Sequence, residues 1–256
     1  MDMGYLAGID LGTSSVKVLI MDPDGRTLAV SSRGYDVMTP KMSYAEQEPQ
    51  VWWDCTVMAI REAMEKSGIR PEELDGIGLS GQMHGLVAFD RNNEPVMPAI
   101  IWMDQRSAKE TALIKELAGD LLETELLNQP GAGMMICSLL WLKRHRPDVY
   151  DRIAHVMLPK DYIRYRLTGT IGSDFSDACA TLAFSVKGRC WCMELIRRAG
   201  LKEDIWPQVG ESSQAAGHVW AEAAARTGLS GHTRVVYGAG DSSAQLTGNG
   251  VIEEGI

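Results

Sequence analysis

Leu6-Ala7-Gly8-Ile9-Asp10-Leu11-Gly12-Thr13-Ser14-Ser15-Val16-Lys17-Val18-Leu19-Ile20 carries an apolar run that ends on an aspartate. A Gly-Thr-Ser-Ser turn follows, and a second run with alternating apolar residues leaves it. The pattern predicts a β-hairpin whose tip bears one carboxylate and several small hydrogen-bond donors. Such a tip suits a magnesium–phosphate group. Gly12 permits close backbone approach, the backbone N–H groups and the hydroxyls of Thr13 and Ser14 can donate to phosphate oxygens, and Asp10 can hold a hydrated Mg²⁺. An ordinary Gly/Ser turn beside an incidental aspartate is the competing reading.

Outward from the hairpin, residues 5–33 read as three consecutive strands, the second turn being Asp22-Pro23-Asp24-Gly25. Pro49 sits where a helix starts and Gly68 where one stops, with Trp52, Cys55, Ala59 and Ala63 as its apolar stripe. Short strands are predicted at 76–80, 86–89 and 100–102, and helices at 107–118, 136–146, 160–168 and 192–199. A strand at 233–237 and a helix start at 244–247 follow. An antiparallel three-strand opening followed by β/α units predicts an α/β fold, a mixed sheet flanked by helices.

Composition narrows the function classes. The 256 residues are 45% hydrophobic and 23% charged, as in a globular protein with an ordinary core, and the net charge of -9 argues against nucleic acid as a partner. Lys143-Arg144-His145-Arg146, the densest basic run, reads as a helix end before Pro147, where cations complement the dipole. No apolar run is long enough to span a membrane. Met1 to Ile9 lacks a leader pattern, and the five cysteines are read as free thiols, so a cytoplasmic location is expected. Cys190-Trp191-Cys192 has no zinc spacing and reads as packing.

There is no GxxxxGK[ST] phosphate loop. Gly238-Ala239-Gly240 is similar to a dinucleotide turn, but Ser243 stands where the third glycine is required. Asp241 instead reads as a carboxylate at a strand end and a helix N-terminus, able to accept a proton from a substrate hydroxyl. Its competing reading is a helix N-cap. Gln82-Met83-His84-Gly85 follows a strand and offers an amide, a thioether and an imidazole, a mix that suits a polyhydroxylated ligand; a structural histidine is the alternative. Trp102-Met103-Asp104-Gln105-Arg106 also follows a strand. Asp104 could bind hydroxyls, with Arg106 paired to it or solvated. Asp161 reads as a residue of a helix first turn. Asp10, His84, Asp104 and Asp241 all fall at predicted strand exits, which in α/β sheets gather into one cleft.

Together these motifs resemble the FGGY carbohydrate kinases, most closely their xylulokinase branch. The resemblance rests on Gly8-Ile9-Asp10-Leu11-Gly12-Thr13-Ser14, Glu46-Gln47-Glu48-Pro49 with Trp52-Trp53, Gly81-Gln82-Met83-His84-Gly85, Trp102 to Arg106, Leu158 to Tyr162, Ser173-Asp174 with Ser176-Asp177-Ala178, and Gly238-Ala239-Gly240-Asp241. It implies a ribonuclease H-like, actin-type ATPase fold and ATP-dependent phosphorylation of a sugar, D-xylulose in the branch it is most similar to. It implies Asp241 as general base, Asp10 as the residue organising Mg²⁺, and Gly12, Thr13 and Ser14 along the phosphate path. Gln82, Met83, His84, Asp104 and Asp241 would line the sugar. One departure stands out: Ser242-Ser243 follow Asp241 where xylulokinases usually have Asn-Ala. Family members are about twice as long, so residues 1–256 are expected to be the substrate-binding N-terminal domain. The nucleotide-binding C-terminal domain would be a missing partner and the chain alone inactive. A short non-catalytic sugar-binding module, or a kinase for another pentulose, hexonate or polyol, is the alternative. An apolar inter-domain face and homodimer formation are also expected.

Overall fold

The computed structural model describes residues 4–251 and 253. The opening meander forms as expected: strands β1 (Tyr5–Leu11), β2 (Ser15–Met21) and β3 (Thr27–Gly34) pair antiparallel in sequence order. The 22–25 turn is closed by Asp22, whose Oδ1 accepts from the N–H groups of Asp24 and Arg26 at 3.0 and 2.8 Å. The strand Leu74–Gly81 lies parallel to β1 on its other side, and Arg234–Val236 and Ala239–Gly240 run parallel to Leu74–Gly81. An antiparallel edge strand, Ala215–His218, completes a seven-stranded mixed sheet.

Alternation places Ala7, Ile9, Leu11, Val16, Val18, Ile20 and Ala29 on one face, all buried. Helix α1 (Pro49–Ser67) covers that face with Trp52, Trp53, Ala59, Ile60 and Ala63. The small residues let it approach closely, and the Ser31 hydroxyl donates to the Ala59 carbonyl at 2.5 Å. A second apolar body is built on the helices Ala108–Ala118, Met135–His145 and Met193–Arg198. The strand pair Val87–Phe89 and His155–Met157 stands between the two. Val87, Phe89 and Met157 enter the sheet core, whereas Ala88 and Val156 enter the helical one.

The sheet's other face stays largely open. Leu6, Leu28 and Val30 are 46%, 41% and 52% exposed there, and a cleft of about 740 Å³ runs over Gly8, Asp10, Leu19 and Gly78.

Several expectations change. The sequence reading contains neither the strand Ala215–His218 nor the helix Ala221–Thr227. Gln-Ala-Ala-Gly-His has no β-branched alternation, and it becomes a strand only by pairing with Arg234–Val236. The predicted 100–102 strand is only Ala99–Ile100, and it pairs with Glu46–Gln47 outside the central sheet. The strand-exit argument therefore does not reach Asp104. Residues 1–3, where the leader reading begins, lie outside the described residues.

Candidate active site

Three parallel strands end side by side. Asp10, Ser80 and Ala239 are register neighbours, as are Leu11, Gly81 and Gly240. At about 4.8 Å per strand, the β1 exit and the Gly240 exit are about 10 Å apart. Asp10 and Ser80 line the same cleft as Ser212, Gly238, Ala239, Ser243 and Thr247. The cleft extends from these strand ends over the open sheet face, and Gly12 to Ser14, Met83, His84 and Asp241 are not among the residues that line it.

The hairpin tip is tied down from several sides. The Tyr35 hydroxyl donates to the Gly12 carbonyl at 2.6 Å, Gln47 Nε2 to the Thr13 carbonyl at 2.8 Å, and Trp102 Nε1 to Thr13 Oγ1 at 2.9 Å. Ser14 remains exposed. Asp10 is half-buried, and no hydrogen bond or ion pair engages its carboxylate among the described residues. A free carboxylate beside an oxygen-rich, tethered tip fits a hydrated Mg²⁺, which keeps most of its waters and takes one or two protein oxygens.

Asp241 opens the helix Asp241–Gly248 at its first position, with Gly240 as the capping residue. It is exposed, and its Oδ1 accepts only from its neighbour Ser242, from N–H at 2.6 Å and from Oγ at 3.2 Å. The N-cap reading of Asp241 is thereby corrected. The loop before it needs glycine twice. Gly238 has φ +82° and packs on the Leu79 carbonyl, and a β-carbon at Gly240 would lie 2.9 Å from Met83. Met83 is thus held against the residue preceding Asp241. His84 stands beside it in the left-handed region, φ +70°, a strained backbone for a non-glycine residue. Its Nδ1–H donates to the Ala180 carbonyl at 2.7 Å. A carbonyl only accepts, so the proton is on Nδ1, and Nε2 is free to accept in the neutral ring.

Gln82 and Asp104 differ from these. Gln82 is 2% exposed, and its Nε2 donates to Gln47 Oε1 at 3.1 Å and the Gly12 carbonyl at 3.5 Å, bracing the hairpin tip. Asp104 has no exposed surface. Its Oδ2 accepts from Ala45 N–H at 2.7 Å, and both oxygens accept from Arg106 Nε at 2.9 Å. Arg106 also reaches Glu46 at 2.7 Å and stacks 3.7 Å from the Tyr44 ring centre. This ion pair fixes the loop on which Trp102 and Met103 are 45% and 46% exposed. Of the two readings of Arg106, paired or solvated, the structure shows the paired one, and that pairing is what keeps Asp104 away from the cleft.

Residues quoted as motifs in the sequence, but given no common role there, converge beneath the Asp241 loop. Lys160 and Asp161, from the helix Pro159–Thr168, are fully buried with Asp174, Asp177 and Arg164. Lys160 Nζ is 2.6 Å from Asp161, 2.8 Å from Asp174 and 3.5 Å from Asp177, and Arg164 is 2.7 Å from Asp161. The three carboxylates are close enough to ligate a metal, but the lysine ammonium takes the cation's place among them. Burial pushes the Asp177 carboxyl well above the usual range against the pull of Lys160, with Asp161 and Asp174 adding to the rise. Burial acts the same way on Asp161, but Lys160 and Arg164 outweigh it and hold that carboxyl below its usual value. One signal was available: a lysine in a helix first turn opposes the helix dipole and calls for a local partner.

Comparison with known proteins bears on the family and the fold. The model of the FGGY family of carbohydrate kinases, N-terminal domain, matches residues 5–248. Xylulose kinase of Bacillus subtilis is 35% identical over 253 residues, 99% of this chain and 51% of that protein. The crystal structure of a xyloylose kinase from Brucella ovis superposes with a TM-score of 0.91 at 37% identity, covering 98% of this chain and 51% of that one. That of gluconate kinase from Lactobacillus acidophilus gives 0.87 at 24% identity over 93% and 48%, a likeness of fold alone. The chain spans about half the length of the curated relatives it matches. The mixed sheet is that of the actin-like ATPase fold.

Proposed function

Because the chain belongs to the FGGY family of carbohydrate kinases, we propose that its strand-exit crevice binds a pentulose, D-xylulose foremost, and presents a terminal hydroxyl to Asp241 for phosphorylation by ATP. The observation that carries this reading is the packing of Met83 against Gly240, which sets the Met83-His84 pair beside an exposed carboxylate with no partner beyond Ser242. An imidazole Nε2 and a thioether recognise a hydroxylated carbon chain by one directional bond and one apolar contact. Met83 and His84 contact the sugar. Gln82 and Asp104 act through the loops they brace.

Asp241 orients the sugar hydroxyl and accepts its proton as the new O–P bond forms, a contribution of about 10²–10⁴-fold. The Thr13 and Ser14 hydroxyls donate to phosphate oxygens, where preorganised donors give most of the benefit, while the Gly12 N–H closes the turn on the Ser15 carbonyl at 3.0 Å. Asp10 is the residue that would hold Mg²⁺, which when bound offsets charge on the phosphates.

Titration calorimetry of the chain with D-xylulose, glycerol and gluconate, followed by ADP-release assays with ATP and Mg²⁺, tests the reading. D-Xylulose should bind in preference, and His84→Ala should weaken it by about tenfold, one lost directional bond. Preference for glycerol or gluconate, or no binding of any pentulose, overturns the substrate assignment. Wherever turnover is measured, Asp241→Ala should abolish it; undiminished turnover overturns the base assignment.

A further inference from the structure

The loop that delivers Asp241 is gripped at two points, and both grips lead to one carboxylate oxygen. The Gly240 N–H donates to Ser176 Oγ at 3.1 Å, and the Gly238 N–H donates to the Ser212 carbonyl at 3.0 Å. Ser176 Oγ then donates to Asp174 Oδ2 at 2.6 Å, and Ser212 Oγ donates to the same oxygen at 3.0 Å. The Ser176 N–H adds a third bond to it at 2.9 Å, which makes Asp174 the cap of the short helix Phe175–Cys179. The other Asp174 oxygen faces Lys160 at 2.8 Å. One residue earlier in the loop, Arg164 donates to the Tyr237 carbonyl at 3.5 Å and stacks 4.7 Å from the Tyr237 ring centre.

We propose that Ser176, held by Asp174 and the buried Lys160, is the positioning residue for Asp241. The inference rests on the reading of Asp241 as the base. Two features of the geometry support it. Among the described residues Asp241 has no anchor of its own beyond Ser242, so its placement comes from the backbone that precedes it. That backbone is bonded through two serines to a single, fully buried acceptor, so the two grips move together or not at all. A base misplaced by about 1 Å forfeits about 10²-fold in rate, so a rigid delivery loop has a direct consequence for chemistry. Both serine hydroxyls donate inward to Asp174 Oδ2 while buried Lys160 faces the other oxygen, which leaves Ser176 Oγ an acceptor for Gly240.

The test uses the chain itself, with Ser176→Ala and Ser176→Thr. Native-state amide exchange is followed at Gly240 and in α1, and D-xylulose affinity by calorimetry. Ser176→Ala should speed Gly240 exchange by about tenfold, leave the α1 amides unchanged, and weaken D-xylulose by several-fold, one hydrogen bond's worth. Ser176→Thr, which keeps the hydroxyl, should restore both. Gly240 exchange that is unchanged in Ser176→Ala, or raised equally across α1, overturns the positioning role. Faster exchange at Gly240 alone, with D-xylulose affinity unaltered, overturns it too. If the unaltered chain binds no pentulose, the functional reading fails while Gly240 exchange and its rescue still decide the grip.

Discussion

The aspartates at the strand-exit edge and those beneath the Asp241 loop are the same residue in opposite states. Asp10 and Asp241 stand half-buried and exposed, and among the described residues they have between them only Ser242 as a partner. Asp161, Asp174 and Asp177 have no exposed surface and converge on one lysine. A carboxylate in contact with water keeps lone pairs for a ligand. A buried one must find a cation, a hydrogen-bond donor or a proton inside the protein. The same chemistry therefore yields a reactive edge in one place and a rigid foundation in the other, and Asp104 belongs with the second group.

Substitutions sharpen that contrast. Lys160→Met should have the largest effect on stability, because it leaves buried carboxylates without their cation. A loss of about 3–5 kcal/mol is expected in denaturant unfolding. A loss below about 1 kcal/mol would mean that the buried group is not ionised as described.

Asp177→Asn tests the proton. With its folded pKa raised by burial, Asp177 contributes stability fully at pH below the ordinary carboxylate range and loses it as pH rises toward the raised value. The asparagine variant should match the unaltered protein in acid and exceed it increasingly as pH approaches neutrality. Parallel stability–pH curves would show that Asp177 ionises normally.

Asp241→Asn should change stability least, within about 0.5 kcal/mol, since no folded contact beyond Ser242 depends on it. A large shift in melting temperature would move Asp241 into the structural group.

Much of this molecule was legible residue by residue. Gly12 to Ser14 between two apolar runs announced the hairpin. Pro49 and Gly68 bracketed α1, observed as Pro49–Ser67 with Gly68 at its C-terminus. Its stripe of Trp52, Cys55, Ala59 and Ala63 is buried as read. The glycines before Asp241 identified a tight turn at a helix start. Asp104 resisted the same logic, since its partners Ala45 and Arg106 stand on two segments brought together by a strand pair of two residues each. The Ser176 and Ser212 grips were equally hidden: Ser176 was legible as part of a motif, but nothing local to either serine names Asp174 or the Gly238–Gly240 loop as its partner.

The sequence by itself determined most of the elements and their order, because apolar period, turn chemistry and helix stops act over a few neighbouring residues, whereas the strand Ala215–His218 forms only by pairing with Arg234–Val236. It also determined which side chains could do chemistry. Tertiary structure alone decided which of them remain free to do it. Asp10 and Asp241 keep open carboxylates at strand ends on either side of Leu74–Gly81, whereas Asp104 and Asp174 are enclosed by partners up to 59 residues away. The reason is physical: whether a carboxylate binds a ligand or braces a loop depends on its access to water and on nearby donors, and long-range packing sets both.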